Sequence, residues 1–154
     1  MMGSDGLDLS ELYAFADELE AAAKRNPKRA KKLLQKQGNK LRSKTKSRAV
    51  QVYGRKHKKP KKYAGSDHYV DTIKRGKPYN FRAENVQAIR VYSSSPHAHL
   101  LEKGHNMVTH QPGKARVKFV PGDHIFENTA NRFRPEFERA CEDFSDEVAR
   151  EVES

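Results

Sequence analysis

The chain is 154 residues long, 35% apolar and 33% charged, with a formal net charge of +11. That size fits one domain with a modest core, and no apolar run approaches the ~18 residues a membrane-spanning helix needs. A single cysteine excludes an internal disulfide framework and a cysteine-based zinc site and fits a reducing setting, and the opening residues show no basic-then-apolar run, so no secretory signal is expected.

Charge is segregated along the chain. Residues 1–20 hold six acids and no Lys or Arg, residues 24–62 hold eighteen Lys/Arg and no acid, and residues 123–154 hold ten acids against four bases. Blocks of like charge usually mark solvated segments or interaction surfaces.

Ser10 is a good N-cap, with Leu12, Phe15, Ala16 and Leu19 falling on one face, so a first helix is expected there. Asn26-Pro27 reads as cap and first position of a second helix. Its narrow apolar stripe is Ala30, Leu34, Leu41, Ala49 and Val52, with Leu33 beside it, and Gly38 weakens it by about 1 kcal/mol. One long or broken helix to about residue 52 is the expectation. Residues 54–67 form a basic loop. Tyr69–Ile73 suits a short helix or turn, followed by a loop at Gly76 and Pro78. Val86–Tyr92 is rich in β-formers and reads as a strand. His97–Lys103 reads as one or two helical turns stopped by Gly104, which most simply takes a positive φ. Residues 104–114 read as loop, and the alternation of 115–120 as a half-buried strand ended by Pro121-Gly122. Phe126, Ala130, Phe133, Phe137, Cys141, Phe144 and Val148 recur every three or four residues and define a C-terminal helix, with Asp123 as its N-cap. Pro135 lies inside it and predicts a kink or two abutting helices. Cys141 on that stripe reads as a buried, inert thiol.

The expected fold is a single α+β domain over 1–154: an N-terminal helical segment (1–53), the basic loop (54–67), a sheet region (68–122) and a long C-terminal helix (123–154) packed on the sheet. The small antiparallel sheet uses 84–92, 115–120 and one further strand.

Chemistry is sparse. No phosphate loop, dinucleotide fingerprint or nucleophile elbow occurs. His97, His99, Glu102 and His105 are the one set with metal-ligand character, and would suit a metal-dependent hydrolase. Gly104 ends their helix before His105, short of the convergent ligands such a site needs. No cofactor is expected. The basic block is the strongest signal: Lys44, Lys46, Arg48, Arg55, Lys56, Lys58, Lys59, Lys61 and Lys62 are candidates to contact DNA or an acidic partner. DNA contact would be to the backbone and sequence-blind, because no base-reading motif is present and only Tyr53 and Tyr63 interleave the cations. A sequence-nonspecific nucleic-acid-binding protein is therefore one reading.

The segment His97-Ala98-His99-Leu100-Leu101-Glu102-Lys103-Gly104-His105 resembles a motif of the minor tail-component or tail-completion (neck) proteins of long-tailed bacteriophages, Tyr-Ala-x-x-x-Glu-x-Gly-His/Thr following a strand. A loop, a strand, the Gly-containing turn Val120-Pro121-Gly122-Asp123-His124-Ile125-Phe126 and a closing helix near Ala130 follow in the family's order. The resemblance spans roughly 84–145, with His97 where Tyr is common. It implies a non-enzymatic virion part at the head–tail junction, assembled in the host cytoplasm. Its partners would be further copies of itself in a ring and neighbouring neck and tail proteins, without a membrane. Glu102 would form an interface or a turn-locking salt bridge, with Gly104, His105 and Phe126 as companion interface or turn residues. Two roles for the charge blocks stay open. The acidic terminal helix of one subunit meets the basic helix of the next, or the basic block faces packaged DNA.

Overall fold

The computed structural model describes residues 10–13, 22–54, 69–81, 86–108 and 116–153. The elements are β1 (Ser10–Tyr13), α1 (Pro27–Tyr53), a 3-10 turn (Tyr69–Thr72), β2 (Ile73–Arg75), β3 (Tyr79–Phe81), β4 (Val86–Ser93), α2 (Ala98–Lys103), β5 (Gly104–Val108), β6 (Arg116–Pro121) and α3 (Ile125–Glu153). Residues 22–25 are also helical. The α+β class is as expected.

Two long helices dominate. Pro27 opens α1, where its missing N–H costs nothing because the first helical turn has no acceptor for it. Twenty-seven residues make α1 about 40 Å long. It is one unbroken helix, with Ala30, Leu34, Gln37, Gly38, Leu41, Thr45 and Ala49 on its buried stripe. Val52, assigned to that stripe from sequence, is 39% exposed at the end of the helix. The partner α3 runs antiparallel beside it. Arg29 pairs with Glu147 and Glu151 at one end, Lys40 and Lys44 reach Glu136 midway, and the Tyr53 hydroxyl donates to Asp123 at the other end. Arg29 also lies over the Phe144 ring, 5.8 Å from its centroid.

Apolar burial, not these ion pairs, holds the helices together. Phe126, Phe133, Phe137 and Phe144 are all buried on the α3 stripe, and each is worth about 1.5–3 kcal/mol. The pairs are solvent-exposed, where attraction is offset by water and side-chain entropy. Cys141 sits on the same stripe, and burial pushes its thiol up to about 12. Pro135 does not split the helix. It lies exposed in the middle of α3, where water can donate to the Asn131 carbonyl that loses its helical partner.

Among the described residues the strands form two antiparallel sheets rather than the single one expected. In the larger, β4 is central. It pairs with β1 on one edge (Ser10↔Val91, Tyr13↔Ala88) and with β2 then β3 on the other (Ile73↔Ser93, Phe81↔Val86). β2 and β3 are two halves of one edge strand, interrupted at 76–78, where Pro78 has no N–H to give the ladder. The segment at Ser10, expected to be helical, is therefore a strand; its long-range partner β4 overrides the local capping signal. Phe15, Ala16 and Leu19 lie outside the described residues. The predicted 69–73 turn is the 3-10 turn, which the Thr72 hydroxyl ties to β4 through Ser93 Oγ, 2.7 Å away. The smaller sheet is a two-stranded ribbon, β5 with β6 (His105↔Val120, Met107↔Lys118), so the first part of the expected 104–114 loop is a strand.

The larger sheet packs on α1 and also meets α3 along β1. Gly38 allows that approach: a Cβ there would sit 3.0 Å from Ile89 Cδ1 and 3.2 Å from the Arg75 side chain. The residue that looked like a local weakness is the contact point between helix and sheet. Gly38→Leu is therefore expected to destabilise by about 1–3 kcal/mol, several degrees in Tm. Gly38→Ala should be near neutral, because helix propensity gained offsets the tight contact. Thermal unfolding followed by circular dichroism measures both, since the chain has no tryptophan.

Candidate assembly interface

Four of the residues singled out from sequence meet in one place. Glu102 lies in the last turn of α2 and is 4% exposed. Its two carboxylate oxygens accept from the backbone N–H of Phe126 (2.9 Å) and of Glu127 (3.1 Å), in the first turn of α3. These are two of the N–H groups that a helix start leaves without intrahelical partners. Glu102 thus caps α3 from 24 residues away and places negative charge at the positive end of its dipole. The anticipated partner was a cation; the actual partner is a helix N-terminus.

The local residue cannot do this work. His124 holds the capping position, since its carbonyl accepts the first intrahelical bond from Asn128, and it has φ +48. Asp123, expected to be the cap, takes the Tyr53 hydroxyl instead. That bond, after burial, helps push the Tyr53 phenol well above its usual range. The backbone completes the junction. Asp123 N–H donates to Leu101 O (2.8 Å) and His124 N–H to Glu102 O (3.1 Å), so the end of α2 and the start of α3 satisfy each other.

Two glycines make this approach possible. Gly104 has φ +90, as expected, and a Cβ there would stand 2.4 Å from Val120 O. A Cβ on Gly122 would stand 2.2 Å from Glu102 O. Sequence reasoning took Gly122 only as the end of a strand; its closeness to α2 has no local signature. Phe126 is 1% exposed, so its side chain belongs to the core and not to a subunit interface. His105 is half-buried on β5. His97 and His99 are exposed while Glu102 is taken up by the cap, and no group of three His, Cys, Asp or Glu among the described residues could hold a metal.

The surface lies elsewhere. Of the candidate cations, Lys44 is paired with Glu136 within the chain, Arg48 donates to Gln51, and Lys46 lies on α1. Arg55, Lys56, Lys58, Lys59, Lys61 and Lys62 lie outside the described residues. Sequence reasoning missed a separate basic row, Lys28, Lys32 and Lys36, exposed at four-residue steps opposite the buried stripe of α1. Glu138, Glu142 and Asp146 form a matching acidic row on α3, turned away from the acids that pair with α1. Neither row makes an ion pair among the described residues. The helical period was the available signal, had it been applied to charge as well as to apolar residues.

The family model described as "Bacteriophage HK97-gp10, putative tail-component" matches residues 13–104. It covers α1, β2 to β4 of the larger sheet with only Tyr13 of β1, and α2, and it shares only 84–104 with the stretch on which the sequence resemblance rested. No curated protein and no solved structure matches the chain.

Glu102→Ala should destabilise by about 2 kcal/mol, since it strands two buried donors at the start of α3. Gly122→Ala and Gly104→Ala should each cost more than about 1 kcal/mol, for contact and, at Gly104, for backbone strain. Thermal or urea unfolding tests these; unchanged midpoints would show that the junction does not hold α3.

Proposed function

The chain belongs to the HK97-gp10 tail-component family, and from that premise we propose that it is a structural subunit of the phage neck. It completes the tail or joins it to the head as a ring of identical copies. Membership makes it a phage tail component, a virion part that meets other tail and neck proteins.

The observation that supports a ring is the pair of rows that make no ion pair among the described residues, Lys28–Lys32–Lys36 on α1 and Glu138–Glu142–Asp146 on α3. Head-to-tail rings need two different, complementary patches on one chain. The acids Glu136, Glu147 and Glu151 are already engaged within the subunit. The acidic helix therefore serves its own α1 with one face and offers a neighbour the other. Attraction between such rows is weakened by salt.

The other reading is sequence-blind nucleic-acid binding by the basic block. It is favoured by the six Lys/Arg of residues 55–62, which have no acid among them. The isolated monomer would then bind duplex DNA, with log affinity falling in proportion to log salt.

Particles from a phage lacking this gene should show full heads beside unjoined or malformed tails in the electron microscope, with joining restored when the protein is supplied. Normal infectious particles would refute the neck role. For the ring, Lys32→Glu and Glu142→Lys should each lower the assembly state seen by sedimentation. The two variants mixed together should recover it, because the reversed charges complement each other.

A further inference from the structure

The cations of α1 divide by where they face. Arg29, Lys40 and Lys44 meet the acids of α3 on one flank, and Lys28, Lys32 and Lys36 form the outward row. A third set lies on the flank toward the larger sheet. Lys31, Gln35, Gly38 and Arg42 recur at steps of four, three and four residues, so they share one stripe. Gly38 fixes the direction of that stripe, since a Cβ there would stand 3.0 Å from Ile89 Cδ1 and 3.2 Å from the Arg75 side chain. Arg75 belongs to the edge strand β2 and rises from the face of β2 that meets α1. Its guanidinium reaches the Gln35 carbonyl, to which one N–H donates at 3.4 Å.

Lys31 and Arg42 therefore stand on either side of Arg75 along the helix, about 16 Å apart. Both are exposed, and Arg75 is half-buried. None of the three makes an ion pair among the described residues. The acids around them are placed elsewhere. Asp71 sits in the 3-10 turn, whose Tyr69 ring meets Tyr53 about three turns beyond Arg42. Glu11 belongs to β1, at the opposite edge of the sheet, and the acids of α3 lie along the other flank of α1.

The large exposed apolar side chains of the described residues are Val52, at the end of α1, and Met107, Val108 and Phe119 on the ribbon. Among the described residues this flank thus has no apolar centre of the kind a protein interface is built on. Phosphate oxygens ask only for cations and N–H donors, and a guanidinium meets them with two parallel bonds. We propose that the α1–β2 flank binds the sugar–phosphate backbone of duplex DNA, with Arg75 as the central fork and Lys31 and Arg42 on phosphates to either side. Contact with the backbone alone is blind to sequence. The proposal deepens the nucleic-acid reading and rests on it, moving the contact from the 55–62 run to the folded surface. It uses none of the residues assigned to the ring.

The test measures binding of the purified full-length chain to two duplexes of unrelated sequence by fluorescence anisotropy, from about 50 to about 200 mM salt. The unaltered chain should bind both alike, with log affinity falling linearly with log salt. Lys31→Gln and Arg42→Gln should each make that slope shallower by about 1 on both duplexes. Both residues are exposed, so these variants should keep the thermal midpoint, and the change is then not a loss of fold. Arg75→Lys should keep the slope and weaken binding at every salt concentration, because it keeps the charge and loses the fork. Lys118→Gln, an equal loss of charge on the ribbon, should leave the slope unchanged. No binding by the unaltered chain would overturn the nucleic-acid reading and this inference with it. A slope that the flank variants leave alone, while Lys58→Gln with Lys59→Gln reduces it, would keep that reading and overturn the inference. An equal effect of Lys118→Gln would also overturn it. So would displacement of the duplex by polyglutamate at an equal concentration of charge, which would point to the carboxylates of a protein.

Discussion

A buried carboxylate must find hydrogen-bond donors or it costs more than a fold of this size can spare. Glu102 finds two, and its partners decide the geometry of everything around it. They belong to the first turn of α3, so satisfying Glu102 fixes where α3 starts and along which line it leaves. Because α3 then runs the length of α1, the angle set at the junction determines whether Phe133, Phe137, Cys141, Phe144 and Val148 reach the core together. The glycines follow from the same demand. The α2 backbone and the Gly122 turn lie within one van der Waals contact of each other, so neither Gly104 nor Gly122 has room for a side chain.

The second constraint is electrostatic. A helix such as α1, with cations on its free faces and no acid, has no internal relief from their repulsion. Laying an acidic helix along one flank supplies it, at Arg29, Lys40 and Lys44. Relief on one flank leaves the opposite row, Lys28, Lys32 and Lys36, still like-charged. The subunit thus carries surplus of both signs on separate faces, the condition under which identical copies attract when translated or rotated but repel when placed like face to like face.

What was legible in sequence was whatever depends on local period and local backbone chemistry. The α3 stripe and the turn-ending role of Gly104 needed only helical spacing and the tolerance of glycine for positive φ. The strand at Ser10 was illegible because its identity comes from β4, nearly eighty residues away. Four residues of strand with a capping residue at their head look locally like a helix start. The β5 strand failed for the related reason that its partner β6 lies beyond the ribbon tip. For Glu102 the expected salt bridge gives way to the backbone N–H groups of Phe126 and Glu127. Sequence shows that an acid needs a partner, and a cation is the only partner that composition can display; backbone N–H groups at a distant helix start leave no mark.

The Glu-x-Gly spacing follows from the geometry. Glu102 in the last turn of α2 projects beyond the helix end, one residue carries the chain past it, and Gly104 takes the left-handed conformation that turns the chain straight into β5. β5 leads out into the ribbon and β6 brings the chain back to Gly122, beside the carbonyl of Glu102 itself. The carboxylate therefore meets the backbone of α3 at the point where the ribbon closes. The family match ends at residue 104, but the groups that Glu102 holds are at 126 and 127. The matched region contains the capping residue and not the helix it caps, so the structural unit must extend past the match through the ribbon and into α3. The ribbon is then an excursion between two halves of one joint.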